Sequence, residues 1–364
     1  MLAPTDQQPY GVMSSPWGKD ILAPFVESCK KYNVSICYYI GPNANGYLTQ
    51  VAKVSPEIFV EKQLNMTKEV LTKYGPVRRL WWDHFDGSCG GLSECPGGFP
   101  EAWPRFVDLV REVSPSTIIG TGPDIGHSAG GESGDGSYPR WNACNTSDGT
   151  NYTHCSSYGP IGYQFKPREA DATIQNPGDA WFWHPSHSFW NSSQIWDHFF
   201  LTWGRGDAFI LNMPPNTTGV IAEEYAAAGA GFGDALRASF GKPLAAASTS
   251  TPAPCASAVL EVQVPAGGAN AFMTRESMTD NGQRIANYTV ETSSDGGSTW
   301  TALPPVDETT NLGIHGQTVG YRIVDILADG QSVAAGDHVR VRCTSSIKDP
   351  VLFRDFGIYV AKRP

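Results

Sequence analysis

Three times in the first 121 residues, apolar positions recur at helical spacing and then condense into a short apolar run. Asp20 to Tyr32 places Ile21, Phe25 and Cys29 on one helical face despite Pro24, and leads into the run Val34 to Ile40, closed by Gly41-Pro42. Pro56 to Tyr74 repeats the pattern with Ile58, Phe59, Leu64, Val70 and Leu71, and stops at Gly75-Pro76. It precedes Arg79-Leu80-Trp81-Trp82, a run that ends abruptly on Asp83. Glu101 to Val113, with Pro104 in its first turn where proline is tolerated, feeds Ser116 to Thr121. Three helix–strand repeats in sequence predict a parallel α/β sheet. Further on, Ser193 to Trp203 reads as a helix with Ser192 or Ser193 as its N-cap, followed by an apolar strand from Asp207 to Asn212.

Beyond residue 241 the pattern changes. Residues 242–256 are rich in Ala, Ser, Thr and Pro without helical or strand period, which predicts a linker. Residues 257–364 alternate instead. Val259 to Val264, Tyr288 to Thr292 and His338 to Arg342 are period-2 runs, and Ser294-Asp295-Gly296-Gly297 follows the second like a hairpin turn. Short strands with regular turn signals predict a β-sandwich.

Charge and composition narrow the function. The formal net charge is −10 with only 26 Lys+Arg, which argues against a nucleic-acid partner. No apolar run approaches the roughly 18–20 residues of a membrane span. Seven sequons begin at Asn33, Asn65, Asn145, Asn151, Asn191, Asn216 and Asn287, about half of all asparagines, which points to a glycoprotein of the secretory route, secreted or lysosomal/vacuolar. The eight cysteines are an even set without CxxC, which favours disulfides over zinc. Cys89/Cys95 and Cys144/Cys155 are close pairs, though eight cysteines allow 105 connectivities. Met1 to Gln8 has neither a basic n-region nor an apolar h-region, so a signal peptide is expected to lie outside this sequence. His184 and His187 have a ligand-like spacing but lack a third ligand at a recognisable distance in sequence, so no metal and no cofactor is expected.

The residues around Asp83 carry a more specific resemblance. "LTKYGPVRRLWWDHFDG" is similar to the segment of glycoside hydrolase family 29 α-L-fucosidases in which a helix ending in Tyr-Gly-Pro precedes a strand ending in Leu-Trp-x-Asp. The resemblance assigns Asp83 as catalytic nucleophile, and Asp86, beside Gly87, is the competing choice. "SPWGKDILAPFVESCKKYNVSICYYIGP" resembles the family segment whose strand ends in Tyr-Tyr-Ser, which makes Tyr39 a sugar contact. "GPDIGHSAGGESGDG" matches the acid/base loop of the α1,3/4-type subgroup loosely and assigns that role to Glu132, although Gly126-His127 stand where Arg-Trp is expected. Phe165 to Ile174 and Trp181 to His184 match two further elements of the subgroup, with Trp181 as a substrate contact. Glu169 and Asp171, two apart and so on one face of a strand, are either active-site carboxylates or, as Arg168 and His184 nearby favour, supporting ones. The strand ending in Asn212-Met213-Pro214-Pro215 resembles the family's Leu-Leu-Asn-x-x-Pro strand. Gln283, Gly316 to Gly320 and the strand ending at Cys343 resemble the galactose-binding-like domain that follows the barrel.

The resemblance implies a (β/α)8-type TIM barrel over residues 1–241, a linker over 242–256 and a β-sandwich over 257–364. It implies retaining exo-hydrolysis of an α-L-fucoside in a fucosylated glycan by double displacement, with Trp81 and Trp82 walling the site and no cofactor. The sequence accounts for about five barrel strands and lacks the family's His-His-Asp-Gly-Phe motif, so the barrel is expected to lack its first strands here. A retaining glycosidase of other specificity and a non-catalytic carbohydrate-binding remnant are the alternative readings. Oligomeric state is left open.

Overall fold

The structure, a computed structural model, describes residues 4–41, 45–83, 99–127, 131–144, 158–160, 164–176, 180–278 and 282–364. The chain divides into two compact units, residues 1–126 with 146–156, and residues 127–145 with 157–364.

The first unit is built from the three predicted repeats. Helix Leu22–Lys31 starts where the Asp20 carboxylate accepts the N–H groups of Leu22 (2.8 Å) and Ala23 (3.2 Å), capping free donors. Its buried face is Leu22, Val26 and Cys29, whereas Ile21 and Phe25 are exposed. The expected stripe therefore holds at Cys29 and is one position off at Ile21 and Phe25. Helix Pro56–Lys73 is capped by Ser55 and opens on Pro56, whose missing N–H costs nothing in the first turn. It buries Phe59, Val60, Leu64, Met66, Val70 and Leu71. Strands Ile36–Ile40, Val77–Trp82 and Ile118–Gly120 lie parallel in that order, with Tyr39 opposite Trp81, Ile40 opposite Trp82 and Trp81 opposite Gly120. Helix Phe99–Val113 packs Trp103, Phe106, Val107 and Val110 into the same core as Leu80 and Trp82.

In the second unit, strand Arg168–Thr173 is buried at every position and pairs parallel with Ala208–Asn212, Glu169 facing Ala208 and Thr173 facing Asn212. Helix Ser192–Thr202 is capped by Asn191, not by Ser192 or Ser193, in a reciprocal box with Gln194. Among the described residues the parallel strands form short separate sheets and no closed barrel.

The β-rich part has two four-stranded antiparallel sheets. One orders strands Ala245–Ser248, Phe353–Tyr359, Ala271–Glu276 and Ile323–Ile326; the other orders Val259–Gln263, His338–Ser346, Ile285–Ser293 and Thr301–Ala302. Residues 242–256 are not a spacer. Ala245 to Ser248 forms the edge strand on Phe353–Tyr359, and Cys255 is bonded to Cys343. Small side chains hid this strand, because its pairing partner rather than its own β-propensity holds it. Cys144 also sits in a disulfide, and the pairs suggested by spacing, Cys89/Cys95 and Cys144/Cys155, involve residues outside the described ones.

Within the second unit, the sandwich is tied to the α/β residues by buried polar contacts. Gln283 donates to the Arg140 carbonyl (2.6 Å) and accepts from the Asn142 N–H (2.8 Å), and the Thr318 hydroxyl accepts from the Arg140 N–H (2.9 Å). The Arg140 guanidinium pairs with Asp207, both nearly fully enclosed. Arg322 lies over Trp203 at 3.9 Å and donates to its carbonyl.

One buried carboxyl sets a pH dependence. Glu276 is 1 % exposed, and burial pushes its pKa up from 4.5 to about 8, against the pull of N–H donors from Arg284, Ile285 and Gly320. Between those values the folded chain holds a proton that the unfolded chain has released, so stability falls as pH rises through that window. The thermal midpoint is expected to drop between pH 5 and pH 8, by an amount on the order of a few kcal/mol in stability. Glu276→Gln, followed by scanning calorimetry against pH, should flatten that slope; an unchanged slope would assign it elsewhere.

Candidate functional site

Parallel pairing places the C-terminal ends of Ile36–Ile40 and Val77–Trp82 side by side, and Asp83 follows directly, its N–H donating to the Ile40 carbonyl at 3.1 Å. Its carboxylate accepts a hydrogen bond from the hydroxyl of Tyr39 on the neighbouring strand. Tyr39 is 66 % exposed and stacks on Trp81 with centroids 5.1 Å apart and planes 16° from parallel. The result is a carboxylate at a strand end, oriented by a phenol, beside a two-ring aromatic platform. Such a group can act as a nucleophile or bind a hydroxylated ring.

Trp82 does not belong to that surface. It is fully enclosed, edge-on to Trp103 at 4.5 Å and to Phe106 at 6.4 Å. Strand alternation is the reason: Leu80 and Trp82 point into the core, so Trp81 is the ring that shares a side with Asp83. Of the two rings expected to wall the site, Trp81 and Trp82, the fold leaves only Trp81 on that side. Asp86, the rival nucleophile, lies outside the described residues.

The other predicted residues fall in the second unit. Glu132 is exposed on the single 3-10 turn Gly131–Ser133. The next residues are pinned firmly. The Gly134 carbonyl accepts from the Thr202 hydroxyl, Gly136 N–H donates to Leu201 O (3.0 Å), and Asp135 meets His198 at 2.9 Å, whose ring stacks on Trp190. Gly134 has φ +73°, and a Cβ there would sit 2.9 Å from the Ala172 Cβ. Gly134→Ala is therefore expected to displace the Glu132 turn and destabilise the chain by about 1–3 kcal/mol, read from urea unfolding. A shift under about 0.5 kcal/mol would mean that the turn absorbs the methyl group freely.

Trp181 is half-buried, and its backbone is fixed by Asn212, while the neighbouring residues are held by Gln175, which no motif flagged. Asn212 Nδ2 donates to the Trp181 carbonyl (3.0 Å) and to Thr173 Oγ1 (3.2 Å). Gln175, wholly buried, donates to the carbonyls of Ala180 and Phe182 and accepts from the His184 N–H and the Tyr225 hydroxyl. The Asn-x-Pro-Pro ending marked Asn212 as notable, but only the fold shows that it holds the aromatic loop. Glu169 and Asp171 are both buried in their strand, which places them behind the surface. His184 and His187 lie 4.8 Å apart by ring centroid, and His184 Nδ1 contacts the Ser186 hydroxyl.

Comparison with known proteins gives this arrangement a family. The family model described as Alpha-L-fucosidase matches residues 2–239. Alpha-L-fucosidase 1 of Arabidopsis thaliana is 29% identical over 232 residues, covering 61% of this chain and 43% of that protein, so the chain spans less than half of this curated relative. A solved glycoside hydrolase 29 family member from a rumen bacterium shares the fold at TM-score 0.74 and 22% identity, covering 100% of this chain and 65% of that one. A Ruminococcus gnavus GH29 fucosidase solved in complex with fucose superposes at TM-score 0.72 and 18% identity, covering 99% and 80%. With the model matching well over half of its length, the chain belongs to the alpha-L-fucosidase family, glycoside hydrolase family 29.

Proposed function

We propose that the chain carries the retaining exo-α-L-fucosidase site of a (β/α)8-type barrel, acting on a fucosylated glycan. The hydrogen bond between Tyr39 and Asp83 at adjacent parallel strand ends carries this reading, because strand C-terminal ends are where such barrels do chemistry. The fucose held by the Ruminococcus gnavus relative supports the choice of sugar. Asp83 attacks the anomeric carbon as the glycosidic C–O bond breaks, and Glu132 protonates the leaving oxygen. Glu132 then takes a proton from water, which attacks the same carbon and frees Asp83. That chemistry requires the two carboxyl groups about 5–5.5 Å apart in the working enzyme. Trp81 and Trp181 would pack against the sugar.

Sequons at Asn33, Asn65, Asn191 and Asn287 sit at exposed positions, and together with the Cys255–Cys343 bond they support a secreted or lysosomal/vacuolar setting. Release of nitrophenol from 4-nitrophenyl α-L-fucoside, but not from the corresponding galactoside, tests the reading. Binding of L-fucose without turnover would instead identify a non-catalytic carbohydrate-binding protein.

A further inference from the structure

The first unit contains a concavity at the C-terminal end of strand Ile36–Ile40, lined by Tyr38, Tyr39, Ile40 and Gly41 together with residues of the flanking helices. It encloses 540 Å3, inside the range of about 300–1,000 Å3 typical of small-molecule sites. Among the described residues, none that lines it carries a formal charge. Its floor is apolar, from helices Leu22–Lys31 and Pro56–Lys73, and its rim is carboxamide and phenol: Gln8, Asn45, Gln63, Tyr10, Tyr47 and Tyr39.

The rim is organised. Asn45 Nδ2 donates to Gln8 Oε1 at 2.8 Å and to Gln63 Oε1 at 3.3 Å, and its own Oδ1 accepts from the Leu48 N–H. Gln8 Nε2 donates to the Tyr10 carbonyl at 2.6 Å. A primary amide has two donors and two acceptor sites. Gln8 therefore keeps one N–H and one lone pair, and Asn45 keeps one lone pair. That mixed set suits hydroxyl groups, which both donate and accept, and it suits neither an anion, which would want donors, nor a cation. Beside the amides, Tyr10 and Tyr47 stand with rings 9° from parallel and centroids 6.3 Å apart, and Tyr10 is 67 % exposed. Amide oxygens and nitrogens for hydroxyls, with flat apolar faces for C–H groups, are what a pyranose presents itself to.

We propose that this concavity, which reaches Tyr39 beside Asp83, binds a neutral sugar unit, with Gln8 and Asn45 reading its hydroxyls and Tyr10 packing on its ring. The proposal is for binding and not catalysis, since among the described residues no carboxylate lines it. It goes beyond the proposed fucosidase activity and does not require turnover.

Calorimetric titration of the full chain with methyl β-D-galactopyranoside tests it. Saturable binding in the millimolar range is expected, weakened about five- to tenfold in Gln8→Ala and in Tyr10→Ala, the loss of one hydrogen bond or one ring contact. Asp83→Asn should leave this binding unchanged, and methyl β-D-galacturonide, the charged counterpart, should bind more weakly than the galactoside. No saturation by about 50 mM would overturn the proposal. So would binding indifferent to both rim variants, or binding lost in Asp83→Asn, which would place the sugar at the strand end instead. Because the readout is binding, an inactive chain that still binds the galactoside through Gln8 separates this proposal from the fucosidase reading.

Discussion

Asp83→Asn lowers turnover of 4-nitrophenyl α-L-fucoside by on the order of 10^4-fold or more, while the thermal midpoint stays within about 2 °C of the parent. The amide is nearly isosteric with the carboxylate, its N–H to Ile40 is backbone, and the Tyr39 hydroxyl can still donate to the amide oxygen. What disappears is the proposed nucleophile. Added azide gives the matching positive control with Asp83→Gly: it attacks the anomeric carbon as nitrophenolate leaves, restoring release and forming a fucosyl azide of inverted configuration. Glu132→Gln, by contrast, costs about 10²–10⁴ on natural glycans. It costs much less on the aryl fucoside, whose leaving group departs without a proton. Retention of more than about a tenth of the parent activity in Asp83→Asn would remove Asp83 from the nucleophile's role.

The reasons this site could be read in part from sequence are local ones. A helix, a Gly-Pro stop, an apolar run and a terminal acid are all encoded within one short stretch, and the three repeats of that grammar emerge as three parallel strands. Period-2 alternation, available in the same residues, would have selected Trp81 over Trp82 had it been applied from Leu80 onward. The Tyr39–Asp83 contact joins residues 44 positions apart, and strand register decides it. Longer-range choices left no mark in the sequence. Gln283 resembles a residue of a sugar-binding sandwich, yet here it clamps the backbone at Arg140 and Asn142, more than 140 positions away. Ala245 to Ser248 reads as linker because nothing in four small side chains announces Phe353–Tyr359 as a partner.

That clamp yields the largest expected change in stability. Arg140 is 3 % exposed and Asp207 1 %, so their ion pair is a charge balance made without water. Burial, and then the like charges of Arg168 and Arg205, disfavour the Arg140 cation, and the Asp207 carboxylate opposes them. Removing one partner of such a pair costs about 3–5 kcal/mol, because the other charge remains buried. Asp207→Ala is expected to lose that amount in urea unfolding, close to the effect of reducing the Cys255–Cys343 bond, whose 88-residue separation corresponds to roughly 4–5 kcal/mol in the loop-entropy account. The two losses should differ in place. Reduction acts inside the sandwich, between Cys255 and Cys343, whereas Asp207→Ala releases Arg140, whose backbone is held by Thr318 and Gln283. Hydrogen exchange should therefore rise at the amides of Arg140 and Asn142 in Asp207→Ala and stay unchanged there on reduction. The double variant Arg140→Met/Asp207→Leu should recover most of the loss, since an apolar pair of similar volume leaves no charge to solvate. If Asp207→Ala costs less than about 1 kcal/mol, Arg140 finds other compensation and the pair does not hold this junction.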